Sequence, residues 1–288
     1  MQGSMLIGEV GGSSSRWAFL APDGTNLLLP LKGERIPGFN PVSGDPEVFM
    51  AAVEAQLRVA CPEALLTDRV VVYGAGCGSS ERRQRMEDAL RTRFLGMPIE
   101  VRTDLQGASL GLCGSRPGLV LILGTGMNAG YFDGTQLHQP MPSLGYVLGD
   151  EGSGADIGRC LLQDAFYQRI PVVTREALFG AQGPDLGDVI EQVYRSPFPS
   201  RALASYTALV LPLRDHAYVH DLVISRFHAM AELLVTFFPS EQRAEVHATG
   251  SVAWGFKDWL AECLLDRGMT LVGAEQDPLP GLVAFHRR

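Results

Sequence analysis

The sequence predicts an α/β protein of two related lobes. Two short runs of strands, each with a glycine-rich hairpin turn, begin near residues 6 and 119. Each run is followed by alternating helical and strand patterns, and a Gly/Pro-containing hinge at 114–118 separates the two halves. Layered sheets and helices of this kind bury a core in each lobe and commonly bind ligands in a crevice. We therefore expect a cleft between the two glycine-rich turns.

The first half opens with a meander. Apolar runs bounded by turn residues predict strands at 6–9, 17–20, 26–29, 70–73 and 99–102. Apolar residues at helical spacing predict helices at 45–60, 79–94 and 104–113. The first hairpin turn contains Gly11-Gly12-Ser13-Ser14-Ser15.

The second half repeats the opening pattern. Strands are predicted at 119–123, 129–132, 136–139, 246–249 and 269–272. Residues 153–238 are predicted to be mostly helical, with single helices at 252–266 and 279–288. We expect the last helix to dock back on the first lobe, which gives domains of 1–114 (with 278–288) and 115–277.

Composition and charge exclude several classes. Hydrophobic residues make up 46% and charged residues 19% of the 288, an ordinary globular balance. A net charge of −8 argues against nucleic-acid binding, which calls for a basic face. The five cysteines form no C-x-x-C motif, and no apolar run suits a signal peptide or a membrane span. We expect a cytoplasmic protein with no membrane partner.

The two glycine-rich turns are candidates for phosphate binding. Without Cβ atoms the backbone approaches a phosphate closely, and turned N–H groups can point at it. Gly11–Ser15 adds three hydroxyl donors, and Gly124-Thr125-Gly126 adds one. Neither turn matches the P-loop or the Rossmann pattern. A single turn of this kind is usually only a tight turn, and the matching positions of the two strengthen the interpretation.

Three further positions are candidates for chemistry. Asp104 follows a strand and precedes a helix, so it is either a helix N-cap or a general base. Asp150, inside the glycine-framed stretch 149–154, is part of a turn at a helix start, a ligand for two neighbouring sugar hydroxyls, or a carboxylate that orders Mg²⁺ through water. Asn40, in 38–41, is either a turn residue or a polar ligand.

In this order the segments resemble the N-acetylglucosamine kinase family, of the BadF/BadG-type ATPase group in the actin and hexokinase superfamily. The segments that carry the resemblance are 9–17, 38–41, 73–77, 103–104, 123–128, 142–154, 193–199 and 250–253. The likeness is closest to the bacterial branch, and 145–154 is its most specific part. It implies two actin-like (ribonuclease H-like) lobes, each a mixed five-stranded sheet with helices, and a cleft between them.

The resemblance also implies roles. Asp104 matches the family's catalytic base and also a sugar ligand. The residues matching ATP and phosphate contacts are Gly11, Gly12, Ser13, Ser14, Ser15, Thr125, Gly250 and Ser251. The residues matching sugar contacts are Asn40, Gly126, Asn128, Gly145 and Asp150. Glu9 stands where the family has an acid linked to Mg²⁺ through water, so the implied cofactors are ATP and Mg²⁺. A homodimer is expected.

The sequence departs from the family pattern at four positions beside these contacts. Glu9 replaces the usual Asp, Ser14 replaces a Lys or its equivalent, Met127 replaces a Ser, and Arg16 stands where an acid is frequent. The predicted function is an ATP-dependent kinase for the 6-hydroxyl of N-acetylglucosamine or a close amino sugar. The departures motivate an alternative, a non-catalytic sugar or nucleotide sensor. An ATPase that activates a redox partner, or a DNA-binding repressor, is disfavoured.

Overall fold

The computed structural model describes residues 3–32, 34–42 and 44–288. The strands are β1 Met5–Val10, β2 Ser14–Leu20, β3 Asn26–Leu29, β4 Ile36–Pro37, β5 Arg69–Gly74, β6 Ile99–Thr103, β7 Gly118–Leu123, β8 Met127–Phe132, β9 Leu137–His138, β10 Glu245–Thr249 and β11 Thr270–Glu275. The helices are α1 Pro46–Ala60, α2 Ser80–Arg91, α3 Asp104–Cys113, α4 Gly145–Leu148, α5 Gly154–Phe166, α6 Val172–Phe179, α7 Leu186–Tyr194, α8 Pro199–Val210, α9 Ala217–Phe237, α10 Ser251–Gly255, α11 Lys257–Leu265 and α12 Leu279–His286.

The chain divides into two compact units. Unit 1 comprises Met1–Gly114 together with Pro278–Arg288, and unit 2 comprises Ser115–Asp277. Each unit is built on a mixed sheet with helices, so the predicted fold class is confirmed. Within the described residues, no helix is both long and apolar enough to cross a membrane. The five cysteines all lie in the described part of the chain, and none of them is joined to another in a disulfide.

The sheet of unit 1 has the strand order β3-β2-β1-β5-β6, with β4 paired to β2. The short β4 is a sixth strand beyond the five that were expected. Strands β1, β2 and β3 are antiparallel, whereas β1, β5 and β6 run parallel. The carboxyl ends of the three parallel strands therefore meet at one edge of the sheet, and the turn into β2 lies at that edge too.

Both faces of this sheet are buried. Alternate residues of one strand point to opposite sides of the sheet, and helices cover both sides. Leu6 and Val10 belong to the cluster that α1 and α2 cover. Ile7, between them, packs in a second cluster with Leu282 of α12. The last helix thus covers the second face of unit 1, which explains the apolar spacing in the tail.

Unit 2 has the strand order β11-β10-β7-β8-β9. Strands β7, β10 and β11 run parallel, and β8 and β9 are antiparallel to their neighbours. Alternate residues of β7, Leu119, Leu121 and Leu123, enter a core that α5, α9 and α11 complete. The carboxyl ends of β7 and β10 lie side by side, because Ile122 pairs with Thr249.

The prediction of one helix over 252–266 is wrong. The structure has two helices, α10 and α11, interrupted at Phe256. Phe256 is 2% exposed, with a φ of −119°, and its ring stacks on Trp259 at a centroid distance of 5.4 Å. Burying a phenylalanine side chain is worth roughly 1.5–3 kcal/mol, enough to offset a broken helix. Gly255 eases the break because glycine tolerates non-helical backbone.

Candidate active site

The first glycine-rich turn in unit 1 is held by main-chain contacts. The Gly11 N–H donates to the carbonyl of Ser14 at 2.9 Å, and the Phe39 N–H donates to the carbonyl of Gly11 at 3.1 Å. A Cβ on Gly38 would lie 2.1 Å from the Gly11 oxygen, so only glycine fits there. The segment that carries Asn40 is therefore packed directly on the turn.

The serines of this turn have different surroundings. Ser14 and Ser15 already belong to β2, so the turn itself is Gly11–Ser13. Ser15 is 1% exposed; its hydroxyl donates to the carbonyl of Pro37 at 2.8 Å and accepts from the Trp17 indole at 3.1 Å. Its hydroxyl thus links β2 to β4 and the core, and is not directed at a ligand.

Asp104 begins α3 at the carboxyl end of β6. Thr103, not Asp104, caps the helix: the Thr103 hydroxyl accepts from the Gln106 N–H at 3.2 Å, and the Gln106 side chain accepts from the Thr103 N–H at 3.1 Å. The Asp104 carboxylate accepts from the Leu105 N–H at 2.8 Å. Desolvation by the surrounding protein raises the pKa of Asp104 to about 6. This carboxyl group is available for proton transfer near neutral pH.

Close backbone packing fixes α3. A Cβ on Gly107 would lie 2.7 Å from Tyr73, and a Cβ on Gly281 of α12 would lie 1.8 Å from the carbonyl oxygen of Gly111. The buried Cys77, in the loop after β5, has its thiol pKa raised to about 11, chiefly by burial and further by the charge of Asp104. The position of Asp104 therefore depends on β5 and α12 as well as on β6.

Glu9 faces a cation rather than a metal cage. Arg16 of β2 pairs directly opposite Glu9 of β1, and directly opposed residues share one face of a sheet. Among the described residues, no group of three or more His, Cys, Asp or Glu side chains could hold a metal. Mg²⁺ binds through one or two carboxylates together with phosphates and waters. The residues that the structure describes therefore do not form a magnesium cage by themselves.

Asn40 has part of its hydrogen-bonding capacity committed. Its side-chain oxygen accepts from the Val42 N–H at 2.9 Å, and its carbonyl accepts from the Gly44 N–H at 2.7 Å. This is an Asx turn, in which the amide oxygen is used locally. The Nδ2 group is the part of the side chain that can donate to a ligand.

In unit 2 the second glycine-rich turn is oriented by α5. The N–H groups of Gly154 and Ala155, at the start of α5, donate to the carbonyls of Gly124 and Thr125 at 2.8 and 3.1 Å. In a trans peptide the C=O and the following N–H point in opposite directions. The N–H groups of Thr125 and Gly126 therefore point away from α5, an arrangement suited to holding an anion.

The loop after β10 lies against this turn. Gly250 has a φ of 112°, and a Cβ there would lie 2.5 Å from the carbonyl oxygen of Leu123. Its N–H donates to the carbonyl of Glu275 at 3.0 Å. Unit 2 thus brings together the Thr125 turn and the Gly250–Ser251 loop, as the sequence-based assignment of both to one nucleotide requires.

Asp150 lies against the same turn from another side. A Cβ on Gly126 would lie 2.9 Å from Asp150 Oδ2, and the Met127 N–H donates to the Asp150 carboxylate. Asp150 has a φ of 64°, a left-handed conformation that costs about 1–3 kcal/mol in a non-glycine residue. Burial is the main cause that raises the pKa of Asp150. A strained, half-buried carboxylate of this kind is typical of a binding site.

The second sugar candidate, Asn128, is oriented by a residue that sequence reasoning missed. Gln139 Nε2 donates to Asn128 Oδ1 at 2.6 Å. The Asn128 amide therefore has its oxygen engaged and its nitrogen directed elsewhere. Nothing in the sequence around Gln139 indicates this role. Gly145, with a φ of 73°, begins the short exposed helix α4, before the Asp150 loop.

Comparison with known proteins identifies the family. No protein-family model matches the sequence. A crystal structure from Porphyromonas gingivalis, of a candidate N-acetylglucosamine kinase, is 33% identical and covers 98% of both chains at a TM-score of 0.85. The chain belongs to the N-acetylglucosamine kinase-like ATPase family. The family predicted from the sequence is confirmed, and so is the enzyme class, a phosphotransferase acting on a sugar hydroxyl.

Other relatives of this kinase-like chain are more distant. The N-acetylmuramic acid/N-acetylglucosamine kinase of Clostridium acetobutylicum is 27% identical over 162 residues, which is 54% of this chain. The match spans only about half (52%) of that curated relative's length. A candidate N-acetylglucosamine kinase from Chromobacterium violaceum is 23% identical over 98% of both chains, with a TM-score of 0.72, and supports the fold alone.

Proposed function

We propose that the chain is an ATP-dependent kinase that phosphorylates the 6-hydroxyl of N-acetylglucosamine or a close amino sugar. The observation that carries the proposal is the state of Asp104. Its carboxylate follows a parallel strand, is not the helix cap, and has a pKa of about 6. A general base works best when its pKa lies near the operating pH. The sugar kinase family supplies the reaction for which such a base is needed.

In the proposed reaction Asp104 takes the proton. The sugar 6-oxygen attacks the γ-phosphorus of ATP and forms a new P–O bond, while the hydroxyl proton passes to the Asp104 carboxylate. The bond between the γ-phosphorus and the bridging oxygen breaks, and ADP leaves with that electron pair. Kinase active sites use a carboxylate in this way.

We assign the phosphate contacts to main-chain donors. In unit 2, the N–H groups of Thr125 and Gly126 would stabilise the negative charge of the transferring phosphoryl group. The Gly250–Ser251 loop would hold the nucleoside side of ATP. In unit 1, Gly11, Gly12, Ser13 and Ser14 keep their assignment to phosphate, whereas the buried Ser15 is given a structural role.

We assign the sugar contacts to polar groups that are already oriented. Asp150 would accept from neighbouring sugar hydroxyls, and the nitrogens of Asn40 and Asn128 would donate to oxygens of the sugar or its N-acetyl group. Gly126 and Gly145 allow close approach of the backbone. The engaged amide oxygens of Asn40 and Asn128 support this assignment, because they leave the nitrogens as the ligand-directed atoms.

Mg²⁺ enters the proposal as the counter-ion that accompanies ATP. Glu9, the carboxylate assigned to it, would act through water rather than by direct ligation. The homodimer and the cytoplasmic location expected from the sequence stay predictions. Light scattering on the purified protein tests the first, and fractionation of the source cells tests the second.

The test is a coupled ADP-release assay on a panel of sugars. The panel is N-acetylglucosamine, glucosamine, N-acetylmannosamine, N-acetylmuramic acid and glucose. We expect turnover on at least one amino sugar, with ³¹P NMR showing a 6-phosphate. Asp104→Asn should lower kcat by about 10²–10⁴, typical for loss of a general base, and keep sugar-induced thermal stabilisation.

The control variant is Asp45→Asn. Asp45 caps α1 by accepting from the N–H groups of Glu47 and Val48, and asparagine caps helices as well as aspartate does. This change removes a carboxylate at a helix start in the same unit and should leave turnover unchanged. Near wild-type turnover in Asp104→Asn would overturn the base assignment.

One observation favours the sensor as a second candidate. Arg16 pairs opposite Glu9, the residue at the position of the family's magnesium-linked acid. The positive charge of Arg16 therefore disfavours a Mg²⁺ ion beside Glu9. A sensor would show stabilisation by sugar or nucleotide without ADP release. Turnover on any sugar of the panel would exclude it.

A further inference from the structure

A buried carboxylate lies behind the loop that carries Asp150. Asp156, in the first turn of α5, is only 4% exposed. Its Oδ2 accepts from the Gly152 N–H at 3.0 Å and from Arg226 Nε of α9 at 2.8 Å. Its Oδ1 accepts from Arg159 Nη2 at 2.7 Å. The carboxylate of Asp156, which itself belongs to α5, therefore joins the 149–154 loop to α9.

The same loop is tied to Asp156 through the backbone. Ser153, fully buried, caps α5 by accepting from the Asp156 N–H at 3.3 Å. The Ser153 N–H donates to the carbonyl of Asp150 at 3.0 Å and closes the turn. The left-handed Asp150 therefore lies one tight turn away from the buried ion pair.

Helix α9 also contacts the loop directly at Gly152. This glycine has a φ of 77°, and a Cβ there would lie 3.1 Å from Met230 Cβ and 3.3 Å from the carbonyl oxygen of Arg226. The loop backbone thus lies within contact distance of α9, at the turn that contains Arg226. A displacement of Arg226 would reach Gly152 both through Asp156 and through this contact.

The Asp156–Arg226 ion pair is better explained by the geometry that it imposes on the loop than by a contribution to the stability of the fold. Removing two charges from water costs about as much as their attraction returns, so a buried ion pair is weak support for a fold. Holding Asp150 at a positive φ, in contrast, needs surrounding contacts that over-determine the conformation. The Asp156–Arg226 pair supplies such contacts, because Asp156 Oδ2 is shared between Arg226 and the loop N–H.

We infer that Arg226, acting through Asp156 and the Gly152 N–H, is a positioning residue that sets the affinity of the Asp150 loop for the sugar. This inference rests on the proposed function, in which Asp150 binds sugar hydroxyls. Arg226 itself touches no substrate. It holds the loop in the one conformation that presents the Asp150 carboxylate beside Gly126.

The experiment compares Arg226→Met and Arg226→Lys with wild type. We expect Arg226→Met to raise the KM for the sugar by about tenfold to a hundredfold, as misplaced binding groups do, with the KM for ATP changed by less than about twofold. Arg226→Lys keeps the charge beside Asp156 and should recover part of the loss. Hydrogen exchange in a peptide covering 149–156 should rise in Arg226→Met.

A double-mutant cycle with Asp150→Asn isolates the route of the effect. If Arg226 acts through Asp150, the Arg226→Met change should add little to the sugar KM of the Asp150→Asn protein, because coupled residues are not additive. Full additivity of the two effects would overturn the inference.

Arg243→Met is the matched control. Arg243 is also a partly buried arginine of unit 2, and it donates to the carbonyls of Phe238 and Arg267 at 3.1 and 3.0 Å. Its loss should destabilise unit 2 without raising the sugar KM. An equal rise in both variants would mean that lost stability is the cause, and the inference would fail.

The wild-type assay separates this inference from the proposed function. If wild type phosphorylates no sugar, the proposed function fails and the inference falls with it. If wild type is active while Arg226→Met keeps a wild-type sugar KM, the inference alone is overturned.

Discussion

Asp104→Asn should make the protein more stable at pH 8 although it lowers kcat. Burial raises the Asp104 pKa from 3.8 to about 6, so the folded state holds this proton more tightly than the unfolded chain. As pH rises from about 4 to about 6, the unfolded chain ionises first, and wild type loses stability relative to its protonated form. The loss is complete above pH 6 and persists at pH 8.

The size of the expected stability gain follows from the shift in the pKa of Asp104. At about 1.4 kcal/mol per pKa unit, a rise from 3.8 to about 6 corresponds to roughly 3 kcal/mol at most. Asp104 is partly exposed, which reduces this figure, so we expect a gain of about 1–3 kcal/mol in the free energy of unfolding. The asparagine oxygen can still accept from the Leu105 N–H, so no hydrogen bond is lost.

The assay is urea unfolding followed by the fluorescence of Trp17, which is fully buried in unit 1. The other two tryptophans, Trp254 and Trp259, are replaced by phenylalanine in both proteins, so the signal reports the unit that contains Asp104. The gain should be present at pH 8 and shrink toward zero below about pH 4, because both states are then protonated. Equal stability at pH 8, or a gain that does not depend on pH, would refute the reasoning.

Three further predictions follow from the geometry. The kcat/KM for the sugar should fall about tenfold per pH unit below about pH 6 in a coupled assay, because Asp104 acts only when ionised. Gly126→Ala should raise the sugar KM about tenfold or more in the same assay, because its Cβ would lie 2.9 Å from Asp150 Oδ2. Gly281→Ala should lower the unfolding free energy of unit 1 by about 3 kcal/mol or more in urea, because its Cβ would lie 1.8 Å from the Gly111 oxygen.

Gly273→Ala is the control for both glycine changes. Gly273 lies in β11, and a Cβ there would meet nothing within 4 Å. It should leave both the sugar KM and the unfolding midpoint near wild type. A fall in kcat/KM that begins only well below pH 6 would contradict the prediction for Asp104. An unchanged sugar KM in Gly126→Ala would contradict the second prediction, and wild-type stability of Gly281→Ala would contradict the third.

Local patterns were sufficient to predict most elements of the fold. The apolar residues of β3 (27–29) and β7 (119–123) form continuous runs bounded by turn residues, and α1 has a clear N-cap at Asp45. The interruption at Phe256 was not predictable, because the buried site of this side chain is formed in part by the distant helix α9, whose Phe227 ring lies at a centroid distance of 6.4 Å. The helical spacing of apolar residues does not indicate where burial of one side chain interrupts a helix.

The candidate site divides in the same way. Glycine turns and the acids beside them were visible in the sequence, because their function depends on neighbouring residues. The Asp156–Arg226 pair was not, because its members are 70 positions apart. An arginine on a long helix, such as Arg226 in α9, is typical of a solvent-exposed face. Only the packing of α9 on the 149–154 loop indicates another role for Arg226.

The serines and threonines show why residue type alone does not assign a donor. Ser14 and Ser15 are adjacent, but strand side chains alternate, so Ser15 points inward and bonds Pro37 and Trp17. Thr103 and Asp104 are also adjacent, and the hydroxyl takes the capping role that the carboxylate could have filled. In both pairs one polar residue satisfies the backbone or core and releases its neighbour. A phosphate donor and a general base can therefore be assigned only when the partner of each neighbouring polar group is known.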